Sequence, residues 1–142
     1  MRLVIGIVAS AIVLSGGPAI PDPCKLVTVA EMEQIVGKLK APPRRGDPGE
    51  VSCDYTLAKD SSWIEVMLHE GDFEAMRRSF GGKSALPAPE FGTDAFVNGN
   101  YVDFSAELFV KRGALVLRVS APKGPTAIET IKAIARKALP RM

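Results

Sequence analysis

The chain has 142 residues, 46% of them hydrophobic and 24% charged, with a formal net charge of +2. That is the size and composition of one globular domain rather than of a disordered tail. So balanced a charge gives no electrostatic reason to expect nucleic acid or an anionic membrane surface as the partner.

Met1 and Arg2 precede an apolar run, Leu3 to Leu14, followed by Ser15, Gly16, Gly17, Pro18 and Ala19. A basic start, an apolar segment too short to span a bilayer and small residues at its end describe a cleavable secretory signal. Gly17 and Ala19 fit the small-residue pockets of a signal peptidase, so the leader is expected over residues 1–19 and a single domain over 20–142. Cleavage removes Arg2 and no acid, leaving 17 basic residues against 16 acidic, a net charge of +1. The expected location is periplasmic or secreted, with an uncleaved leader as the alternative and the one membrane attachment foreseen.

Cys24 follows the leader closely. Lipidation needs a small residue just before the cysteine, whereas Cys24 is preceded by Pro21, Asp22 and Pro23. A thiolate metal site needs several ligands, and the chain offers Cys24, Cys53 and one histidine, His69. Two cysteines in an exported chain leave one intramolecular pairing, Cys24 with Cys53, which an oxidising compartment favours.

Thr28 to Gly37 reads as the first helix, because "TVAE" is a capping box with Glu31 three residues after Thr28. Met32, Ile35, Val36 and Leu39 fall on one face, and Gly37 offers the stop. Lys40 to Glu50, "KAPPRRGDPGE", is rich in Pro, Gly and charge and is expected as a solvated surface loop. Val51 to Leu57 alternates apolar and polar residues with Cys53 inward, and Ser62 to Leu68 repeats the pattern with Ile64, Val66 and Leu68 on one face. Asp72 caps a short second helix carrying Phe73, Met76 and Phe80, ended by Gly81 and Gly82. The latter pair belongs to "GGKS", which lacks the earlier glycine and preceding strand of a phosphate-binding loop. A proline-bearing connector then enters a strand near Ala95, with Asn98 and Gly99 as hairpin residues. Phe104 to Val110 and Ala114 to Ala121 form a further hairpin. Thr126 to Leu139 closes the chain as an amphipathic helix, with "TAIE" as a second capping box.

Helix, two strands, helix, three strands, helix is the resulting order, α-β-β-α-β-β-β-α. Short hairpins imply an antiparallel sheet, and amphipathic helices must cover it, so the class is α+β.

His69 is the residue any hydrolytic reading must use. Ser52, Asp54 and His69 can be drawn as an acyl-transfer trio, but no nucleophile-elbow motif presents the serine. Asp54, Glu65, Glu70, Asp72, Glu90, Asp94, Asp103 and Glu107 are scattered acids without the spacing of a calcium loop. Trp63, Tyr101 and Phe109 fall opposite the aliphatic face of their strands. Either a helix covers them, as burial of so much apolar area favours, or they form a docking patch. The surface a partner would meet is assigned to Trp63, Tyr101, Phe109, Arg44 and Arg45.

"PDPCKLVTVAEMEQIVG", "GEVSCDYTL" and "FGTDAFV" together resemble small exported bacterial proteins and lipoproteins of unknown function. Many of these look like the PsbP and Mog-type α/β/α sandwich. The carried-over positions are Cys24, Gly37, Cys53, Tyr55, Gly92, Asp94 and Ala95, and the lipoprotein acceptor motif is missing here. The resemblance implies that sandwich fold and a non-catalytic accessory or binding role in the bacterial cell envelope. No cofactor or metal is expected, and the partner is a protein or small ligand. The alternatives are a small periplasmic hydrolase built on His69, or an inhibitor of an extracellular enzyme acting through Ala41 to Glu50.

Overall fold

A computed structural model describes residues 16–17, 19–98 and 105–142. The apolar leader run, Gly99 of the expected hairpin turn, Tyr101 and Phe104 lie outside the described residues. In chain order the elements are α1 (Val29–Val36), β1 (Arg44–Arg45), β2 (Ser52–Thr56), β3 (Trp63–Glu70) and α2 (Phe73–Met76). Then follow β4 (Ala85–Pro87), β5 (Ala95–Asn98), β6 (Ser105–Arg112), β7 (Leu115–Pro122) and α3 (Ala127–Ala138). Among the described residues the seven strands make one antiparallel sheet, ordered β1-β2-β3-β7-β6-β5-β4. The class is α+β.

Thr28 starts α1 because its hydroxyl accepts the Glu31 N–H (3.2 Å) while the Glu31 carboxylate accepts the Thr28 N–H (3.0 Å). Gly37, at φ +87°, ends the helix in a conformation that other residues resist. Leu39, expected on the helix face, lies past the helix and bridges Leu57 instead. Alternation along β2, β3, β6 and β7 turns Tyr55, Ile64, Val66, Leu108, Leu117 and Val119 to one side, where α3 lies on β6 and β7 and α1 packs against α3. Ile131 and Ile134 of α3 complete this core. Each fully buried side chain of this size stabilises the fold by about 1.5–3 kcal/mol.

The other side of the sheet has a second, smaller layer. The Asp72 carboxylate accepts the Glu74 and Ala75 N–H groups (2.9 and 3.2 Å), which starts α2. The helix then widens into a π turn, Arg77–Gly81, that lays Phe73, Met76 and Phe80 on Phe96, Phe109 and Val116. Gly81 allows this close approach, since a Cβ there would stand 2.5 Å from the Ala85 Cβ.

Three expectations are corrected. The segment read as a solvated loop contains β1, and the proline-bearing connector contains β4, so both sheet edges carry a strand missing from the expected order. Elements of two and three residues are too short for alternation to register, and Pro87 is tolerated in β4 because an edge strand leaves one side unpaired. Thr126 makes no side-chain cap. The Gly124–Pro125 turn holds it at φ −107°, ψ 4°, where the Ala127 N–H already bonds to the Gly124 carbonyl (3.1 Å), instead of in the extended shape that aims a hydroxyl at the first turn.

The two ends of the domain are tied to the same place. Cys24, in a 3₁₀ turn at Pro23–Lys25, is joined to Cys53 of β2 with Cα atoms 5.1 Å apart. The buried Tyr55 hydroxyl donates to the Val27 carbonyl at 2.8 Å, and burial pushes its phenol up to about 12. Tyr55→Phe leaves that carbonyl unpaired and should cost about 1–2 kcal/mol in urea unfolding, with an unchanged midpoint excluding the bond as an anchor.

Arg141 donates to the Leu26 carbonyl (2.9 Å) and makes a forked pair with Glu31 (2.7 and 2.9 Å). Hydrogen bonding to Arg141, then to the Thr28 backbone, holds the Glu31 carboxyl down at about 2, from an ordinary 4.5. A depressed carboxyl stabilises fully above its unfolded value and loses that contribution as pH falls through the folded one. The Met142 amide resonance should therefore shift as the pH drops from 4.5 towards 2, while a midpoint near 4.5 would exclude the clamp.

Candidate functional site

Strand register lays out the residues on the side of the sheet that carries α2. One cross-strand row runs Arg44, Asp54, Glu65, Ser120, Glu107 and Asn98 over β1, β2, β3, β7, β6 and β5. The next row runs Ser52, Met67, Arg118, Phe109 and Phe96. Because α2 and the π turn sit over Phe96, Phe109 and Val116, they cover the β5–β6 half and leave the β2–β3 half open among the described residues. Trp63 stands at one end of that open half, opposite Thr56, and is 61% exposed.

The border between the halves is an ion pair under aromatic cover. The Arg118 guanidinium donates from Nε (3.0 Å) and from Nη2 to Glu107 Oε1. It also lies 5.2 Å from the Phe80 ring centroid and 5.7 Å from that of Phe109. Asn98 Nδ2 donates to the Phe80 carbonyl, fastening the π turn to the sheet.

On the open half, two carboxylates face each other across β2 and β3. Burial raises the Asp54 carboxyl above its ordinary value, the nearby Arg44 offsetting part of this and Glu50 and Asp47 adding to it. Burial likewise raises Glu65, with Arg118 opposing and Asp54, Glu50 and Glu107 reinforcing. Asp54 Oδ1 has no hydrogen-bond partner, and the Glu65 carboxylate makes neither a hydrogen bond nor an ion pair, among the described residues. Burial and then Arg118 lower the His69 imidazole, with Glu107 opposing. Two hollows flank the carboxylates, one of about 290 Å³ between Trp63, Ser105, Ser120 and Pro122, the other of about 520 Å³ beside Glu50, Met67, His69 and Arg118. A cleft of about 450 Å³ elsewhere, over Ile35, Leu57, Ile64 and Ala121, gathers no residue of this face except Ser62 and Pro122 at its rim.

The expected site residues meet different fates. Cys24 and Cys53 come together. Trp63 belongs to the open face, whereas Phe109 takes the covered alternative and not the docking-patch one: it is fully buried, stacked on Phe96 (4.6 Å) and Phe80 (5.2 Å). The reason is the π turn, which carries Phe80 over it. Tyr101 lies outside the described residues. Arg44 and Arg45 are exposed but separate: Arg44 opposes Asp54 on the open side at 3.7 Å, and Arg45, opposite Cys53, pairs with Asp22. Ser52, Asp54 and His69 are not joined, since Ser52 Oγ, Asp54 Oδ1 and His69 Nε2 each lack a partner among the described residues.

Arg118 was missed as a site residue. Its signal is a charge between Leu117 and Val119 on a largely apolar strand, which becomes informative only when the register sets it beside Phe109 and Met67.

No family model matches the chain, and neither a curated protein nor a solved structure does. Among the described residues no helix is long and apolar enough to cross a membrane, and no group of three or more His, Cys, Asp or Glu residues could hold a metal ion.

Proposed function

We propose that this protein is an exported, non-catalytic binding module of the bacterial cell envelope that engages a protein partner through the open β2–β3 half of its sheet. The observation that carries the reading is Trp63, a large aromatic left 61% exposed on a rigid strand beside half-buried carboxylates. Exposed aromatics on fixed scaffolds are frequent anchors of interfaces, because they bring contact area with little loss of side-chain freedom. Cleavage after Ala19 and residence in the periplasm or outside the cell accord with a disulfide at Cys24–Cys53. The two helical layers on opposite sides of the sheet accord with the PsbP and Mog-type sandwich inferred from the sequence motifs. A hydrolase built on His69 is disfavoured by the lack of any hydrogen bond from Ser52 Oγ to a base among the described residues.

A photo-reactive amino acid at position 63, in the full chain expressed in its own host, tests this reading. One predominant cross-linked protein, lost when the same group is moved to exposed Glu129 on the opposite side, is the expected result. Equal capture from both positions, or none from position 63, would overturn it.

A further inference from the structure

We propose that the open half of the sheet docks a basic segment of a protein partner, one lysine or arginine of which places its charge between Asp54 and Glu65 and its aliphatic stem along Trp63. This rests on the binding-module reading and names the chemistry of the partner.

Asp54 and Glu65 are directly paired across β2 and β3. Residues so paired have Cβ atoms about 5 Å apart, and like charges in that position repel. The fold accepts that repulsion and partly buries both groups, yet provides little in return. Arg118 is held by Glu107 and by the Phe80 and Phe109 rings. Arg44 reaches Asp54 at 3.7 Å from a side chain that is 79% exposed, the kind of pair that contributes little. Glu50, Asp47 and Glu107 add further negative potential around the same two carboxylates. Arg44 and Arg118 offset only part of this potential, so the patch is complementary to a further cation.

The neighbours of the pair determine which cation fits. Calcium takes six to eight oxygen ligands and zinc about four ligands, and no group of three or more His, Cys, Asp or Glu residues that could hold a metal ion occurs among the described residues. Trp63 lies two residues from Glu65 on the same side of β3, about 7 Å along the strand. A lysine or arginine side chain spans that distance, its stem against an aromatic surface and its head at a carboxylate. Met67, on the other side of Glu65, extends the apolar track along β3. A flat, polar-rimmed track of this form suits an extended peptide.

The test uses the mature, oxidised chain and an acetylated six-residue lysine peptide, followed by NMR of the Trp63 indole N–H and the Glu65 side-chain carboxyl carbon at low salt. Both signals should shift together on titration, and Glu65→Gln should weaken binding about five-fold while Glu129→Gln leaves it unchanged. Glu65→Gln should also unfold at equal or higher urea concentration than the wild type, because it removes a like-charge repulsion and breaks no hydrogen bond or ion pair among the described residues. Equal binding by Glu65→Gln and wild type, equal affinity for a six-residue glutamate peptide, or shifts of the same size with calcium or spermidine would each overturn the proposal. If cross-linking from position 63 captures a partner whose capture Glu65→Gln does not reduce, the basic-segment proposal falls and the binding module stands. If position 63 captures nothing, the broader reading falls on its own test.

Discussion

Replacing Arg118 with methionine should destabilise the protein by about 3–5 kcal/mol, because it leaves the Glu107 carboxylate buried without its cation. Glu107 has a side chain 5% exposed and Arg118 one 20% exposed, and both guanidinium contacts go to the same carboxylate oxygen. Methionine fills much of the space of the arginine stem against Phe109, so the loss would come from charge rather than from a cavity. A deficit of this size is a large part of the total stability of a single domain. Urea unfolding measures it. The decisive companion is Arg118→Met with Glu107→Met, which removes both charges and should recover most of the deficit, since a buried ion pair is seldom better than well-packed apolar groups. A double variant as weak as the single one would show that the arginine acts through shape alone. The π turn supplies a second readout: Phe80 rests on Arg118 and is fastened by Asn98, so loss of the pair should lower hydrogen-exchange protection over Phe73 to Gly81 before the rest of the sheet is affected.

Opening the Cys24–Cys53 bond should lower stability by about 3.5 kcal/mol, on the chain-entropy account of a cross-link that spans 29 residues. The bond restricts the unfolded chain, and in the native state it holds the 3₁₀ turn against β2. Other links hold the same segment, namely Tyr55 to Val27, Arg45 to Asp22 and Arg141 to Leu26. The Cys24→Ser/Cys53→Ser variant should therefore keep its fold and lose stability, rather than release its N-terminus. Reductant should shift the wild-type unfolding midpoint to that of the double variant and leave the variant unmoved. A wild type indifferent to reductant would remove the disulfide from the account of stability. Because Tyr55 and Cys53 anchor neighbouring residues of one segment, their losses should not add when combined.

What the sequence determined by itself was local. Thr28 and Glu31 cap α1 through atoms three residues apart, Asp72 caps α2 in the same way, and period-two alternation separates the faces of β2, β3, β6 and β7. The cysteine pair was legible for a different reason: two thiols admit one intramolecular pairing. Where local cues misled, a neighbouring turn had the stronger claim, as at Thr126, where the Gly124–Pro125 turn took the place of the expected cap.

Tertiary structure decided which polar and aromatic residues share a surface. Phe109 and Trp63 have the same alternation in sequence, yet one is stacked beneath Phe80 and the other stands open, because the π turn from α2 reaches β6 and not β3. The β2–β3 hairpin sets Asp54 opposite Glu65, whereas Glu107 joins their row only because β3 pairs with β7, a neighbour far along the chain. That non-local pairing brought Arg118 between β3 and β6 and gave its hydrogen bonds to Glu107 rather than to Glu65. Short-range contacts depend on residue type and spacing and can be read directly. Register across distant strands depends on the packing of the whole core, and the border of the docking face, where Arg118 meets Glu107, exists only through that register.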